Sequence, residues 1–358
     1  MSGRGTLPLR TSLRLNNDLA VPTFVELAVA AEEAGFDQLW VSHDLFLRSA
    51  PVLLAAAATA TRRILLGAGV LNPYSAHPVE LAMHAATLQE LSGGRALLGL
   101  AAGAAEFLGR AGISQREPVR RTRQAVLACR ALLDGASPAG TADAGTWGGG
   151  AYLSPPPARR VPIYVGAMSP KMLALAGELA DGVLALLYPP EHYAVARAQI
   201  GEGRERAGRP FEAVDVPACV WVSVDEDREV ANAALAEKLA FYGGAFAPYL
   251  LERAGLARED FAPAAAARLK GDTAEATRLI TPSMLRLGIA GTPGDVVERC
   301  CGLLEHGATH LSFGPPLGPD PRRAVELLGR RVIPQLRAFA AELSQDTDPS
   351  RAGRQFRE

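Results

Sequence analysis

Short apolar runs of strand length alternate with longer segments of helical periodicity along almost the whole chain. This alternation is typical of α/β proteins that contain a parallel sheet. The apolar runs predict eight strands: Leu9–Leu15, Gln38–Ser42, Ile64–Gly69, Ala96–Leu100, Ile163–Gly166, Gly182–Leu187, Asp215–Val224 and His310–Phe313. Eight strands that are each followed by a helix predict a (β/α)8 TIM barrel. A doubly wound open sheet is the alternative, because periodicity does not report whether a sheet closes.

Two segments interrupt the alternation without dividing the chain. Residues 135–157 are rich in Gly, Pro, Ala and Ser and predict a long surface loop, with a short hairpin around Thr146–Leu153. Helical periodicity from about residue 227 to residue 287 predicts an insertion. No linker of flexible composition separates two halves, so we predict one domain at residues 1–344, followed by a polar, disordered tail at residues 345–358.

The net charge of the chain argues against some classes of binding partner. The chain has 37 Lys and Arg against 38 Asp and Glu, a formal net charge of −1, and so lacks the basic excess that favours nucleic acid or an anionic membrane surface. No apolar run has the length of a signal peptide or a membrane span, which predicts a cytoplasmic protein. The histidines and the four cysteines lack metal-ligand spacing, so we predict no metal, reduced cysteines and a small-molecule substrate.

The functional site of a barrel lies at the carboxyl ends of its strands. Four of the predicted strand ends are unusual: VSHD (41–44), GAGVLNPY (67–74), GLAAG (99–103) and GAMSP (166–170). Three of them carry glycines, which let the chain turn sharply or let a flat ligand approach the backbone. Together they predict a pocket with small walls.

Two of these ends carry polar groups with readable chemistry. His43 and Asp44 are suited to hydrogen-bond a cofactor ring or to act as acid and base, and a helix-capping Asp beside a half-exposed His is the alternative. Ser169 can cap the next helix and Pro170 suits its first position, so the amides there would hold a phosphate. The alternative for this segment is simply a well-capped turn. Neither a Rossmann nor a P-loop motif is present.

Taken together, the segments 35–44, 64–100, 161–184 and 290–320 resemble the bacterial luciferase-like superfamily of flavin and deazaflavin oxidoreductases. Within it, the chain is most similar to the methylenetetrahydromethanopterin reductase branch, whose members use coenzyme F420. The resemblance runs from about Leu13 to Leu336. It implies a barrel with an insertion and with the cofactor across its mouth, and a non-prolyl cis peptide bond between Gly69 and Val70 that backs the ring. It also implies that the cofactor phosphate lies near residues 166–169.

The strand ends and the resemblance together predict which residues form the site. We predict His43 and Asp44 as catalytic residues. The predicted cofactor-binding residues are Ser42, Ala68, Gly69, Val70, Asn72, Ala101, Gly103, Gly166, Ala167, Met168 and Ser169.

The chain departs from the reductase branch at three places. Arg14 stands where the branch carries a glutamate on the first strand, and Ser42-His43-Asp44 replaces a Thr-Asp-His sequence. A Gly-Pro-Gly-Asp sequence after the fourth strand becomes residues 101–104, Ala-Ala-Gly-Ala. Two acidic groups are therefore missing, which is compatible with cofactor binding but argues against the archaeal pterin as substrate.

The leading hypothesis is an F420-dependent reductase or dehydrogenase that moves a hydride to or from a small organic substrate, with His43 or Asp44 as proton donor or acceptor. An FMN-dependent monooxygenase that uses oxygen is the alternative. A barrel that binds a cofactor or ligand without turnover is a second alternative, because of the missing acids. The resemblance also implies a homodimer or a higher homo-oligomer.

Overall fold

The computed structural model describes residues 8–185 and 190–346. These residues form two compact units. The amino-terminal unit comprises residues 12–185 and 194–219, and the carboxyl-terminal unit comprises residues 8–11, 190–193 and 220–346. A single domain at residues 1–344 stays a prediction, and from residue 347 on the predicted tail lies outside the described residues.

The amino-terminal unit contains six parallel strands in the order β6-β5-β4-β3-β2-β1. They are β1 (Arg10–Leu15), β2 (Gln38–Val41), β3 (Leu65–Leu71), β4 (Ala96–Leu100), β5 (Ile163–Gly166) and β6 (Gly182–Leu184). The helices are α1 (Val21–Glu33), α2 (Ala50–Ala60), α3 (Pro78–Leu91), α4 (Ala105–Arg110), α5 (Pro118–Leu133), α6 (Pro170–Leu179) and α7 (Tyr193–Arg206). The first five strands end within two residues of their predicted bounds. The last two residues of the sixth predicted run lie outside the described residues.

The carboxyl-terminal unit contains three strands in the order β9-β7-β8. They are β7 (Ala218–Val224), β8 (Ile289–Gly291) and β9 (His310–Leu317). The helices are α8 (Arg228–Tyr242), α9 (Pro248–Arg253), α10 (Ala262–Leu269), α11 (Thr273–Arg278), α12 (Pro282–Leu285), α13 (Pro293–Glu305), α14 (Pro321–Leu327) and α15 (Ile333–Asp346). Helices α8 to α12 occupy the segment predicted as a helical insertion.

Two local predictions were wrong. β8 was not predicted, because three residues are too few to show a hydrophobic pattern; it pairs in parallel with β7 through Val222 and Ile289. The hairpin around Thr146–Leu153 does not form, since residues 146–153 contain no strand. Instead, the indole of Trp147 donates a hydrogen bond to the carbonyl oxygen of Ala144 over 3.0 Å.

Local sequence signals explain where two of the helices begin. Ser169 precedes α6, and its hydroxyl accepts a hydrogen bond from the amide of Met172 over 3.4 Å, as the sequence predicted. Thr292 and Asp295 form a capping box at the start of α13, in which each side chain accepts from the other residue's amide. Across the described residues, no helix has both the length and the apolar character that crossing a bilayer requires.

Candidate active site

The strand register of the amino-terminal unit aligns residues from neighbouring strands on one face of the sheet. Arg14 in β1 pairs with Trp40 in β2, Trp40 pairs with Gly67 in β3, and Gly67 pairs with Leu97 in β4. Paired residues of parallel strands point to the same side, and the register carries this side on to β6. We call these residues the inner face: Arg14, Trp40, Gly67, Leu97, Gly99, Tyr164, Gly166, Gly182 and Leu184.

The inner face is concave. β1 and β6 lie at opposite ends of the six-strand order, yet Nη1 of Arg14 donates a hydrogen bond to the carbonyl oxygen of Ala185, just after β6, over 3.2 Å. The sheet therefore curls until the Arg14 side chain spans its inner face. Burial lowers the pKa of Arg14, because desolvation disfavours the charged guanidinium. Arg14 thus places a cation on the inner face.

Large side chains form the floor of the inner face. Trp40, Leu97, Tyr164 and Leu184 pack into one buried cluster, with ring centroids of Trp40 and Tyr164 4.9 Å apart. A chain of hydrogen bonds holds the two aromatic rings. The Trp40 indole donates to Gln38 over 2.9 Å, the Gln38 amide donates to the Tyr164 hydroxyl over 3.3 Å, and that hydroxyl donates to Asp215 over 2.8 Å. The floor is therefore rigid, because its polar atoms have partners within the same unit.

Above this floor, β3 carries a bulge at Gly69 and Val70. The register between β3 and β4 shifts between Ala68 and Leu71, and the peptide bond from Gly69 to Val70 is cis, as the resemblance predicted. The bulge turns Val70 onto the floor cluster, where its side chain is partly buried. Gly69 is also partly exposed, and a methyl group added there would lie 3.5 Å from Leu184 and 3.6 Å from Trp40.

Glycines on the next two strands make room for Val70. A methyl group at Gly99 would lie 2.1 Å from the carbonyl oxygen of Ala68, and one at Gly166 would lie 2.8 Å from the methyl of Ala101. Both added methyls would also lie within 3.3 Å of Val70. Any side chain at these two positions would collide, so both positions require glycine and the wall beside the bulge carries only the small side chains of Val70 and Ala101. We call the space bounded by Gly69, Val70, Ala101 and Gly166 the slot.

The loops after β3 and β4 are joined at the rim of the slot. Asn72 is 4% exposed, and its side-chain oxygen accepts hydrogen bonds from the amides of Tyr74 and Ser75. Gly103 has a φ of +75°, and a methyl group added there would lie 3.1 Å from the Asn72 side chain. The amide of Gln115 donates to the carbonyl oxygens of Ala102 and Gly103 over 2.9 and 2.8 Å. Asn72 therefore shapes the turn, and its oxygen is already occupied.

The turn after β2 is organised by Asn17, which sequence reasoning missed. Asn17 is fully buried; its side-chain oxygen accepts from the Ser42 hydroxyl over 2.8 Å and from the Asp44 amide over 3.3 Å. Its side-chain nitrogen donates to the carbonyl oxygens of Asp44 and Arg48. The Ser42 hydroxyl is therefore engaged in a structural hydrogen bond with Asn17. An asparagine at the second position after a strand, within a turn, is the signal that would have identified it.

His43 and Asp44 stand in different surroundings. Nδ1 of His43 accepts a hydrogen bond from the amide of Ala50, the first residue of α2, over 3.2 Å. Burial lowers the pKa of His43, and the charge of nearby His84 lowers it further. The ring is therefore neutral at pH 7, with its proton on Nε2. Nε2 can donate a hydrogen bond but cannot accept a proton. Asp44 is partly exposed, and its backbone is fixed by Asn17.

The end of β5 contributes unevenly to the slot. Gly166 lies on the inner face, whereas Ala167 is 3% exposed and its amide donates to the carbonyl oxygen of Leu184 over 2.9 Å. Met168 is partly exposed and Ser169 is exposed. The predicted phosphate position is thus left to the segment from residue 168 onward.

The structure brings some of the predicted site residues together and separates others. Gly69, Val70, Ala101 and Gly166 meet in the slot. Ala68 turns its side chain outward, where it lines an apolar cavity between α2 and α3. The binding and catalytic roles of all thirteen predicted site residues stay predictions. Sequence reasoning missed Trp40, Tyr164 and Gln38, because apolar and aromatic strand residues read as ordinary core.

Comparisons with known proteins place this site in a family. A family model described as "Luciferase-like monooxygenase" matches residues 6–310. The 5,10-methylenetetrahydromethanopterin reductase of Archaeoglobus fulgidus is 38% identical over 313 residues, which cover 86% of this chain and 93% of the relative. The F420-dependent glucose-6-phosphate dehydrogenase of Nakamurella multipartita is 30% identical over 362 residues, which cover 94% of this chain and 98% of the relative.

A solved structure extends the similarity to three dimensions. The coenzyme F420 dependent tetrahydromethanopterin reductase from Methanopyrus kandleri matches with a TM-score of 0.85 at 31% identity, over 92% of this chain and 100% of that chain. The predicted fold class, an α/β TIM barrel of the luciferase-like type, is confirmed. The inner face, its bulge and these matches lead to one conclusion: the chain belongs to the luciferase-like family of oxidoreductases.

Proposed function

We propose that the chain is a coenzyme F420-dependent oxidoreductase that transfers a hydride between the deazaflavin and a small organic substrate. The observation that carries the proposal is the slot, whose walls are the glycines at 69 and 166 and the small side chains of Val70 and Ala101. Relatives that match over nearly their whole length are F420-dependent enzymes by name. The slot and this relationship point to the same cofactor.

The residues of the slot fit a flat tricyclic ring. Gly69, Val70 and Gly166 are partly exposed, and the two glycines carry no side chain that could project toward the ring. Gly69, Val70, Ala101 and Gly166 would support the ring, and Gly103, Met168 and Ser169 would lie toward the phosphate. When bound, F420 supplies a two-electron hydride carrier, and the protein supplies position and electrostatics.

Asp44 is the better candidate for proton exchange. His43 uses Nδ1 to accept the Ala50 amide, so its neutral ring acts as a hydrogen-bond donor. The Asp44 carboxylate is partly exposed, in a turn that Asn17 fixes, and can exchange a proton with substrate or water. The pair then divides its work, with His43 orienting the ligand and Asp44 handling the proton.

The substrate is a proposal of class only. One relative is named for a methylenetetrahydromethanopterin and another for glucose-6-phosphate, so similarity alone does not select between chemically different substrates. Arg14 adds a cation to the inner face, which favours a substrate that presents an anionic or carbonyl oxygen there.

Binding spectra test the cofactor. The purified full-length protein is titrated with F420 and, separately, with FMN, and we expect saturable quenching of deazaflavin fluorescence with F420 as the tighter ligand. Reduced F420 is then mixed with a panel of small aldehydes, ketones, imines, glucono-lactone 6-phosphate and methylenetetrahydromethanopterin, and turnover appears as recovery of oxidised F420. Tighter binding of FMN, or activity that requires oxygen and a separate flavin reductase, would show a monooxygenase instead.

We also propose a homodimer in the cytoplasm. α2 and α3 expose the apolar side chains of Val52, Met83 and Leu91, which are 62%, 52% and 48% exposed, above an apolar cavity of about 340 Å³. Exposed apolar side chains on two neighbouring helices favour association with a second copy. All four cysteines are free thiols, which is typical of a reducing compartment.

A further inference from the structure

A second cavity lies outside the slot, also within the amino-terminal unit. It has a volume of about 390 Å³ and lies between the start of α3, the start of α5 and the segment around residue 146. Its polar and aromatic lining residues are His77, Arg120, Arg121, Gln124, Thr146 and Trp147. Among the residues that the structure describes, no carboxylate lines it. We call it the arginine cavity.

Two arginines give this cavity a positive charge. Arg120 pairs with Glu117, the nearby carboxylate, through Nε over 2.8 Å. Arg121 makes no hydrogen bond or ion pair with any residue in the part of the chain that the structure describes. Both arginines lie in the first turn of α5, where the helix dipole disfavours cations. Glu117 offsets the charge of Arg120 and interacts electrostatically with Arg121, so an anion in the cavity would add to the charge compensation of both arginines.

The neutral walls of the cavity also favour an acceptor ligand. Nδ1 of His77 accepts a hydrogen bond from the amide of Val79 over 3.3 Å, which leaves Nε2 as the donor that faces a ligand. The Trp147 ring packs edge-on against His77, with centroids 5.0 Å apart, and its indole is held by the carbonyl oxygen of Ala144. The charged groups and the histidine are thus all donors, and the aromatic wall is fixed before any ligand binds.

The same two loops border the slot and the arginine cavity. Pro73 lines the cavity and directly follows Asn72 at the rim of the slot. The Tyr74 hydroxyl donates to the carbonyl oxygen of Arg116 over 2.6 Å, and Gln115 holds the loop after β4. A ligand that fills the slot and carries a long flexible chain can therefore follow this rim to the cavity.

We propose that the arginine cavity binds the carboxylates of a γ-linked oligoglutamate, and that its source is the tail of coenzyme F420 itself. Arg121 supplies a guanidinium that makes no hydrogen bond or ion pair with the described residues, Arg120 and His77 add donors, and Trp147 forms the wall. The inference rests on the proposed function, since it assigns the distal part of the same cofactor. It predicts that the protein distinguishes F420 from deazaflavins that lack glutamates.

Fluorescence titration of the full-length protein tests this assignment with two ligands. One is F420 with five glutamates, and the other is the matching deazaflavin that keeps the phosphate but carries no glutamate. Arg121→Gln is expected to weaken the first ligand about tenfold, the size of one charge-assisted hydrogen bond, and to leave the second unchanged. Arg62→Gln removes an equal charge from an exposed position before β3, and we expect it to change neither affinity.

The ligand pair separates the inference from the proposed function. If Arg121→Gln weakens both ligands equally, or neither, the arginine cavity does not hold the tail. If free γ-linked triglutamate binds the wild type yet leaves the affinity for tailed F420 unchanged, the cavity serves a separate carboxylate ligand and the assignment is wrong. If the wild type binds neither deazaflavin, the F420 proposal itself fails. Arg121→Lys keeps the charge and should restore most of the preference for the tailed ligand.

Discussion

The hydrogen-bond partners of single residues decide what they offer a ligand. Ser42 and Asn72 lie at the ends of strands, where ligands bind. The side-chain oxygens of both residues, however, form hydrogen bonds within neighbouring turns. Nδ1 of His43 accepts a hydrogen bond from the amide of Ala50, so only Nε2, a donor, is available to a ligand. A polar side chain at a barrel rim is therefore a candidate for chemistry only after its structural bonds are counted.

Substitutions of His43 and Asp44 test how the two divide their work. Asp44→Asn should lower kcat about 100-fold or more, because a positioned acid or base contributes about 10²- to 10⁴-fold, while the F420 affinity stays within about twofold. His43→Asn keeps an acceptor for the Ala50 amide and should lower kcat less than about tenfold. Both are measured by recovery of oxidised F420 with a substrate from the panel. A larger loss for His43→Asn would reverse the assignment.

At the scale of elements, β3, β4 and β5 make the slot together. The bulge in β3 turns Val70 onto the floor, and Gly99 in β4 and Gly166 in β5 leave the space that Val70 fills. The three features depend on one another, because a side chain at Gly99 or at Gly166 would collide with Val70 and displace the bulge. The slot is therefore a property of three paired strands rather than of one motif.

Two glycine substitutions separate binding from folding. Gly69→Ala adds a methyl in ordinary contact with Leu184 and Trp40, so the melting temperature should change little, while F420 affinity falls about tenfold because the methyl occupies the slot surface. Gly99→Ala places a methyl 2.1 Å from the Ala68 carbonyl oxygen and should destabilise the protein by about 3 kcal/mol or more. Thermal melts and F420 titrations measure both. If Gly69→Ala binds F420 with unchanged affinity, the deazaflavin ring does not lie on this surface.

At the scale of the whole molecule, the exposed face of α2 and α3 is the feature that calls for a partner. Its apolar side chains lie beside an apolar cavity, whose polar lining residues are Glu80, His84 and Thr87. Burial of this surface in a symmetric contact would remove it from water without involving the slot, which faces the other side of the same strands.

A charge on this face should separate the subunits. Met83→Glu buries a carboxylate in the proposed contact, so light scattering after size exclusion should report the monomer mass at micromolar concentration. Leu269→Glu alters a side chain that is 83% exposed on α10 and should leave the dimer intact. A wild type that is already monomeric, or a Met83→Glu variant that stays dimeric, contradicts the predicted interface.

Much of this organisation was predictable from local patterns. Strand ends and the caps of α6 followed from apolar runs, from Ser169 and from Pro170, because each depends on a few neighbouring residues. Glycines at the ends of β3, β4 and β5 indicated a small-walled pocket for the same reason. The three-residue strand β8 was missed because its pairing with β7, not its own composition, makes it a strand.

By itself, the sequence determined the alternation of strands and helices, the glycine positions and the kinship that implies a deazaflavin. Only the tertiary structure decided that Arg14 spans the inner face to Ala185 and that the Ser42 hydroxyl donates a hydrogen bond to Asn17. It also decided that Arg121 lines a cavity, where it makes no hydrogen bond or ion pair with the described residues. The physical reason is distance along the chain. Periodicity and capping act between near neighbours, whereas hydrogen-bond partners and cavity walls come from residues that only folding brings into contact.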